Sequence, residues 1–321
     1  MGFDILDLAT LPALALLCGV TSVEDVRTGK IRNKWIALAL LWGAAAYAAL
    51  SLARLYLPGF ACAAVSNTLF DGSWGRLLWM TALNSAAALV CGFLIFHLGY
   101  WSAGDAKLFF AISLLLPLKY YFNHFLPVFP SFGLFLNVIT VAALYVWAEA
   151  SWGIYRFVRN NPQQNFLREI VDSTALKFRN GLKLFLAAAV VFCALMVAAS
   201  YFGLSSGTYL SLNILAMTAL LFGGGEFGLA LEGRAARLGL YAVSAVFFAA
   251  VLASPLRLQA AKMVLYMSVI FSGLFLVTSV LPGLASKYGV QKEDMPFAVF
   301  LAAGAVLTAA VKGSLLYLLV L

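Results

Sequence analysis

The chain has 321 residues, of which 64% are hydrophobic and only 11% charged, and its mean hydropathy is +0.96. A soluble globular protein carries about a quarter charged residues, so this chain lacks the polar surface to cover itself in water. A soluble domain, a disordered chain and a secreted disulfide scaffold are excluded together. The net charge of +8, from 21 Lys and Arg against 13 Asp and Glu, sits in short loops between apolar runs. That is how a membrane protein sets its orientation, and it gives no reason to expect nucleic-acid binding.

The expected fold is therefore an all-α, polytopic membrane helix bundle. A spanning helix needs roughly 20 mainly apolar residues. Runs of that kind fall at about 5–23, 35–57, 77–98, 106–124, 131–155, 182–202, 209–231, 238–256, 263–283 and 296–320. The first is short and carries no signal-peptide pattern, since Asp4 and Asp7 stand where a basic segment would. The fourth contains Pro117, which can kink it, and Lys119, which can snorkel to the far interface. Discounting these two leaves about 8–10 transmembrane helices.

Orientation follows from the positive charges. With the N-terminus outside, Arg54, Arg76, Lys119, Arg257 and Lys262 fall in outer segments and Lys312 lies within the last span. The other fifteen Lys and Arg are then all inside, a strong positive-inside bias. The organisation reads as a membrane region over 1–155, an inner amphipathic segment over 156–181 and further membrane helices over 182–321. In the middle segment Phe166, Ile170, Val171 and Phe178 can share one face on the lipid surface.

Acids at membrane depth are costly and so informative. Asp25, Asp105, Glu149 and Glu226 all fall toward the inner face, whereas Asp4, Asp7 and Asp71 are outer and read as solvated. Asp25 precedes the second span and Asp105 the fourth, so both carboxylates lie at one depth if those helices are neighbours. Two carboxylates within a few ångströms share a proton. The ionised one can accept a proton from water while the protonated one hydrogen-bonds a scissile carbonyl oxygen. That is peptide hydrolysis without a metal or other cofactor. A lone acid at a helix start is ordinarily a cap or a partner of nearby Arg and Lys, and spacing alone leaves both readings open. Nothing competes as chemistry: His97 and His124 fall on opposite sides, and Cys18, Cys62, Cys91 and Cys193 form no CxxC pair.

Asp25-Val26-Arg27, followed by Ile31 and Asn33, resembles the first aspartate motif of the prepilin and preflagellin peptidases, the GxGD-type membrane aspartyl proteases. Ser102-Ala103-Gly104-Asp105-Ala106-Lys107-Leu108 resembles the second, and Met295-Pro296-Phe297 resembles the opening of the family's last helix. Arg32 stands where proline is usual, and Ser102 where the first glycine of GxGD is usual. The resemblance covers little more than residues 23–35 and 99–109. It implies a cytoplasmic-membrane endopeptidase that removes a short basic leader from type IV prepilin-like or archaellin-like precursors. Asp25 and Asp105 would be the catalytic pair, with Arg27, Asn33, Gly104, Lys107, Pro296 and Phe297 in support. The short stretch before Asp25 lacks the cysteine-rich domain of the larger, N-methylating members.

Three further expectations concern single acids. Glu226, in the glycine run 223–228, lines a substrate groove or an inner gate, or else pairs with Arg234 or Arg237. Glu149 is an interfacial acid near Arg156. Glu24, Glu293 and Asp294 are candidate guides for a cationic leader. Small residues at 102–104 allow a second backbone or a substrate strand to approach Asp105. Two other functions remain open on the residues: an inactive family member serving as an assembly scaffold, and a proton-coupled transporter.

Overall fold

The structure, a computed structural model, describes residues 4–56, 73–97, 99, 101–122, 129–160, 189–190, 194, 234–253 and 296–315. The spans expected at 182–202, 209–231 and 263–283 lie outside these residues apart from positions 189, 190 and 194, as does Glu226. All regular structure among the described residues is helical. Ile5–Thr28 forms α1, Asn33–Tyr56 α2, Trp74–His97 α3 and Ala103–Leu115 α4. A short 3-10 turn, Leu118–Tyr121, precedes α5 (Phe132–Asn160), and α6 (Arg234–Ala253) and α7 (Phe297–Val311) follow. Among the described residues, four segments are long and apolar enough to cross a membrane: α1, α2, α3 and Phe132–Gly153 of α5.

The chain divides into two compact units, Met1–Ala142 with Glu293–Leu321, and Ala143–Lys292. In the second unit Trp152 and Tyr155 stack along α5 with Arg156 over the Trp152 ring, and Glu149 is exposed.

α4 is the centre of the first unit. Ala106, Leu108, Phe109, Ala111, Ile112 and Leu115 are all fully buried, so the helix is apolar all round, as a helix enclosed by others must be. It packs against α1, α2, α3 and α7. Its 13 residues extend only about 20 Å, short of the roughly 30 Å hydrocarbon layer. The expected continuous span over 106–124 is therefore corrected: the helix stops before Pro117 and the chain turns through Leu118–Tyr121. Broken backbone at membrane depth is tolerated where protein encloses it, and Leu118 and Tyr121 are buried.

Close approaches lock this core. A Cβ added at Gly92 of α3 would lie 3.1 Å from the Ala106 backbone, and one at Gly304 of α7 only 2.5 Å from Val138 Cγ2. Small residues let membrane helices approach this closely. Asn137 of α5 donates to Thr308 Oγ1 and to the Gly313 carbonyl, and accepts from Leu315 N–H. This clamp sits where α7 ends at Lys312, in the left-handed conformation (φ 53°), well before the expected end at 320.

At one end of the unit the outer acids depart from expectation. Asp4 and Asp7 form a reciprocal capping box on α1 and are buried, 8% and 1% exposed. Lys119 is buried beside them and bonds both carboxylates, at 3.0 Å to Asp4 and in a shorter contact to Asp7. Neither solvated acids nor a snorkelling lysine describes this cluster. Because α4 ends early, Lys119 is turned inward onto the N-terminus of α1.

Candidate functional site

The other end of the same unit collects the motif residues. α1 continues past residue 23, through the polar run Ser22-Val23-Glu24-Asp25, because that run keeps its backbone bonds beyond the apolar stretch. Thr28 Oγ1 donates back to the Glu24 carbonyl at 2.8 Å, and Gly29, at φ 62°, donates its N–H to the Asp25 carbonyl. A left-handed glycine is the usual stop for a helix. Asp25 thus lies in the last turn of the first helix and not at the start of the second, which corrects the expected placement.

Asp105 occupies the first turn of α4. Ser102 caps that helix: its Oγ accepts the Asp105 N–H at 3.2 Å, and Asp105 Oδ2 accepts the Ser102 N–H at 2.8 Å. The Ser-x-x-Asp spacing is a capping box with Asp in place of Glu or Gln. This signal was legible in the sequence and explains a serine at the first position of the GxGD-like motif. Asp105 is 6% exposed. Burial, the largest influence, pushes its carboxyl above the ordinary 3.8; the hydroxyl and backbone N–H of Ser102 pull it down, and the charge of Asp25 pushes it up again. The two aspartates are near enough to feel each other.

Asp25 is held from a third direction. Pro296 caps α7 without a side-chain bond, and two residues on, the Ala298 N–H donates to Asp25 Oδ2 at 2.8 Å. One turn earlier on α1, Ser22 Oγ donates to the Ala298 carbonyl at 3.5 Å. Each aspartate therefore has one oxygen fixed by a backbone N–H. Among the described residues Asp25 Oδ1 accepts no hydrogen bond, whereas the Ser102 hydroxyl acts on the Asp105 carboxyl alongside the Ser102 N–H.

The supporting residues divide. Asn33 Oδ1 accepts from Lys107 Nζ at 3.3 Å, which ties the start of α2 to α4. Gly104 faces Ile31 of the α1–α2 connector, whose Cβ would lie 3.4 Å from an added Cβ. The close neighbour at Gly104 is thus the chain's own connector. The Phe297 ring packs on Trp101, centroids 5.3 Å apart, and Trp101 also meets Phe109 and Phe135 edge-on. Trp101, just before the quoted second motif, packs between that motif and the third. Arg27 is exposed at the end of α1. Glu24 is no free guide for a leader: its Oε1 accepts the Trp35 Nε1–H at 2.9 Å and pairs with Arg32 Nε at 3.5 Å, bracing the connector. Ser22 and Ala298 had no sequence signal, since their contribution depends on which helix lies opposite. No group of acids, histidines and cysteines among the described residues could hold a metal ion.

No family model matches the chain, and neither a curated protein nor a solved structure is similar to it.

Proposed function

We propose that the protein is a membrane aspartyl endopeptidase that removes the short basic leader of prepilin-like or archaellin-like precursors. The observation that carries the reading is the meeting of Asp25 and Asp105, 80 residues apart in the chain, at one end of one unit. Each is gripped by a backbone N–H, from Ala298 on Asp25 and from Ser102 on Asp105. Such a pair shares one proton. The ionised carboxylate takes a proton from water as the water oxygen attacks the scissile carbonyl carbon. The protonated carboxyl hydrogen-bonds the carbonyl oxygen, where negative charge develops. Collapse of the tetrahedral intermediate breaks the C–N bond, and the proton gained from water passes to the leaving amine.

In this reading the chain crosses a cytoplasmic membrane about 8–10 times with its N-terminus outside, and the dyad end faces the cytoplasm. Arg27, Lys30, Arg32, Lys34 and Lys107 flank the dyad in sequence, which supports that orientation. The precursor would enter with its leader in the cytoplasm and its apolar helix in the bilayer, so the scissile bond lies at the aspartates' depth.

The test is cleavage of a prepilin-like precursor from the same genome by membranes carrying wild type, Asp25→Asn or Asp105→Asn. Asparagine keeps size and hydrogen bonding and removes the acid–base chemistry. Cleavage by wild type and by neither mutant supports the reading. Cleavage by a mutant at near wild-type rate overturns it. An intact dyad without cleavage would favour the scaffold, and solute flux lost with either aspartate the transporter.

A further inference from the structure

We propose that the N-terminal end of α7 is a working part of the dyad: the Ala298 amide orients Asp25 and makes it the proton-accepting member, leaving Asp105 as the proton-donating one. This rests on the protease reading and assigns the two roles within it.

Three observations converge on it. The Ala298 N–H points at Asp25 Oδ2 from 2.8 Å, and a bond from N–H to a carboxylate is stronger than one to a neutral carboxyl. The donor lies in the first turn of α7, whose unpaired N–H groups carry positive partial charge. Ser22, one turn before Asp25 on α1, grips the carbonyl of the same residue, so Ala298 is held at both its peptide groups. Asp105 also accepts one N–H, from Ser102 at 2.8 Å, and differs in burial: it is 6% exposed and enclosed by the bundle, where a charge is costly, whereas Asp25 is only half-buried. The charged groups on elements packed around Asp25 are Glu24 and Arg27 on α1, Lys30 and Arg32 in the connector, Lys34 on α2, and Asp105 and Lys107 on α4; α7 carries no titratable residue over 296–311. Glu24 is occupied by Trp35 and Arg32, and Lys107 bonds Asn33. The Ala298 amide is thus the described group that bonds the Asp25 side chain directly.

Ala298→Pro removes the donor but adds bulk at a fully buried position, so the decisive variant is a backbone ester, with lactic acid replacing Ala298. It deletes the N–H and keeps the side chain. The control is the matching ester at Val299, whose N–H bonds only the Pro296 carbonyl. Two readouts apply: the pH–rate profile of precursor cleavage, and infrared titration of protonated carboxyl bands in the protein alone, assigned with Asp25→Asn and Asp105→Asn. The ester at 298 is expected to move the acid-side titration of the pair upward by about one to two pH units. Cleavage at low pH then falls about tenfold or more and recovers as pH rises. The ester at 299 leaves both titrations in place. Equal behaviour of the two esters would overturn the inference. If wild type cleaves no precursor, the protease reading fails on its own, and the infrared titration still decides whether the amide holds Asp25.

Discussion

The two ends of α1 place acids in opposite circumstances. At its start Asp4 and Asp7 are buried, cap one another's backbone and share Lys119. Near its other end, about 27 Å along the helix from Asp7, Asp25 accepts the Ala298 N–H and lies close enough to Asp105 for its charge to push that carboxyl up. In the first cluster a buried cation answers the carboxylates. In the second, the Ala298 N–H bonds Asp25, and the Ser102 N–H and hydroxyl hold Asp105. The difference teaches that an acid's role in this bundle is set by what reaches it, not by residue type. A lysine makes the first pair a staple, and in the proposed reading the second pair is the one available for proton transfer.

The largest expected effect breaks the dyad end alone. Asp25→Asn and Asp105→Asn should each lower precursor cleavage by about a hundredfold to ten-thousandfold while inserting normally; a gel-shift assay on isolated membranes reads this. Breaking the opposite end should act on stability instead. Lys119→Met leaves two buried carboxylates without their cation and should destabilise by about 3–5 kcal/mol, seen as a lowered melting temperature in detergent. Replacing Asp4, Asp7 and Lys119 together with apolar residues of similar size should recover most of that loss, since no unpaired charge remains.

A third prediction sharpens the contrast through pH. Burial raises Asp105 above 3.8, so the folded chain holds that proton more tightly than the unfolded one. Stability therefore falls as pH climbs above 3.8, until the folded carboxyl has ionised. Asp105→Asn removes the charge that must be desolvated and can still accept the Ser102 N–H. The variant is expected to melt higher than wild type at pH 7 and to flatten the slope above about pH 4, even as it loses cleavage. Thermal scans of the two proteins across pH check both. A lysine or amide replacement at the opposite end should give no such gain.

The smallest effect belongs to the bridge between motifs. Lys107→Ala removes a partly exposed bond of 3.3 Å to Asn33 and should reduce cleavage about threefold to tenfold. Asn33→Ala should match it, and the double variant should lose no more than either alone, because both report one contact.

Much of the bundle was legible from hydropathy. α2 and α3 lie within three residues of the expected 35–57 and 77–98, because lipid demands long apolar runs closed by intrahelical bonds. The errors fall where that demand is relaxed. α1 runs on through Ser22–Thr28 because polar residues are free to stay helical once they leave hydrocarbon. α4 stops at Leu115 because neighbouring helices, not lipid, enclose it. The aspartates and the Pro296-Phe297 opening stood out as residues, and Ser102 could have been identified as a cap from its spacing to Asp105. Lys119, Trp101, Ser22 and Ala298 carried no comparable signal, since each contributes through a partner from another helix.

Composition and hydropathy alone pointed to long apolar helices, and four of the described ones are long and apolar enough to cross a membrane. These follow from solvation, which acts on each segment separately. Only the tertiary structure decided that Asp4 and Asp7 close on a lysine while Asp25 comes within electrostatic reach of Asp105, and that an alanine amide on the last described helix holds Asp25. Those outcomes depend on which helices are neighbours, and that is settled by packing at Gly92, Gly304 and Trp101, where contacts between distant residues decide and local pattern is silent.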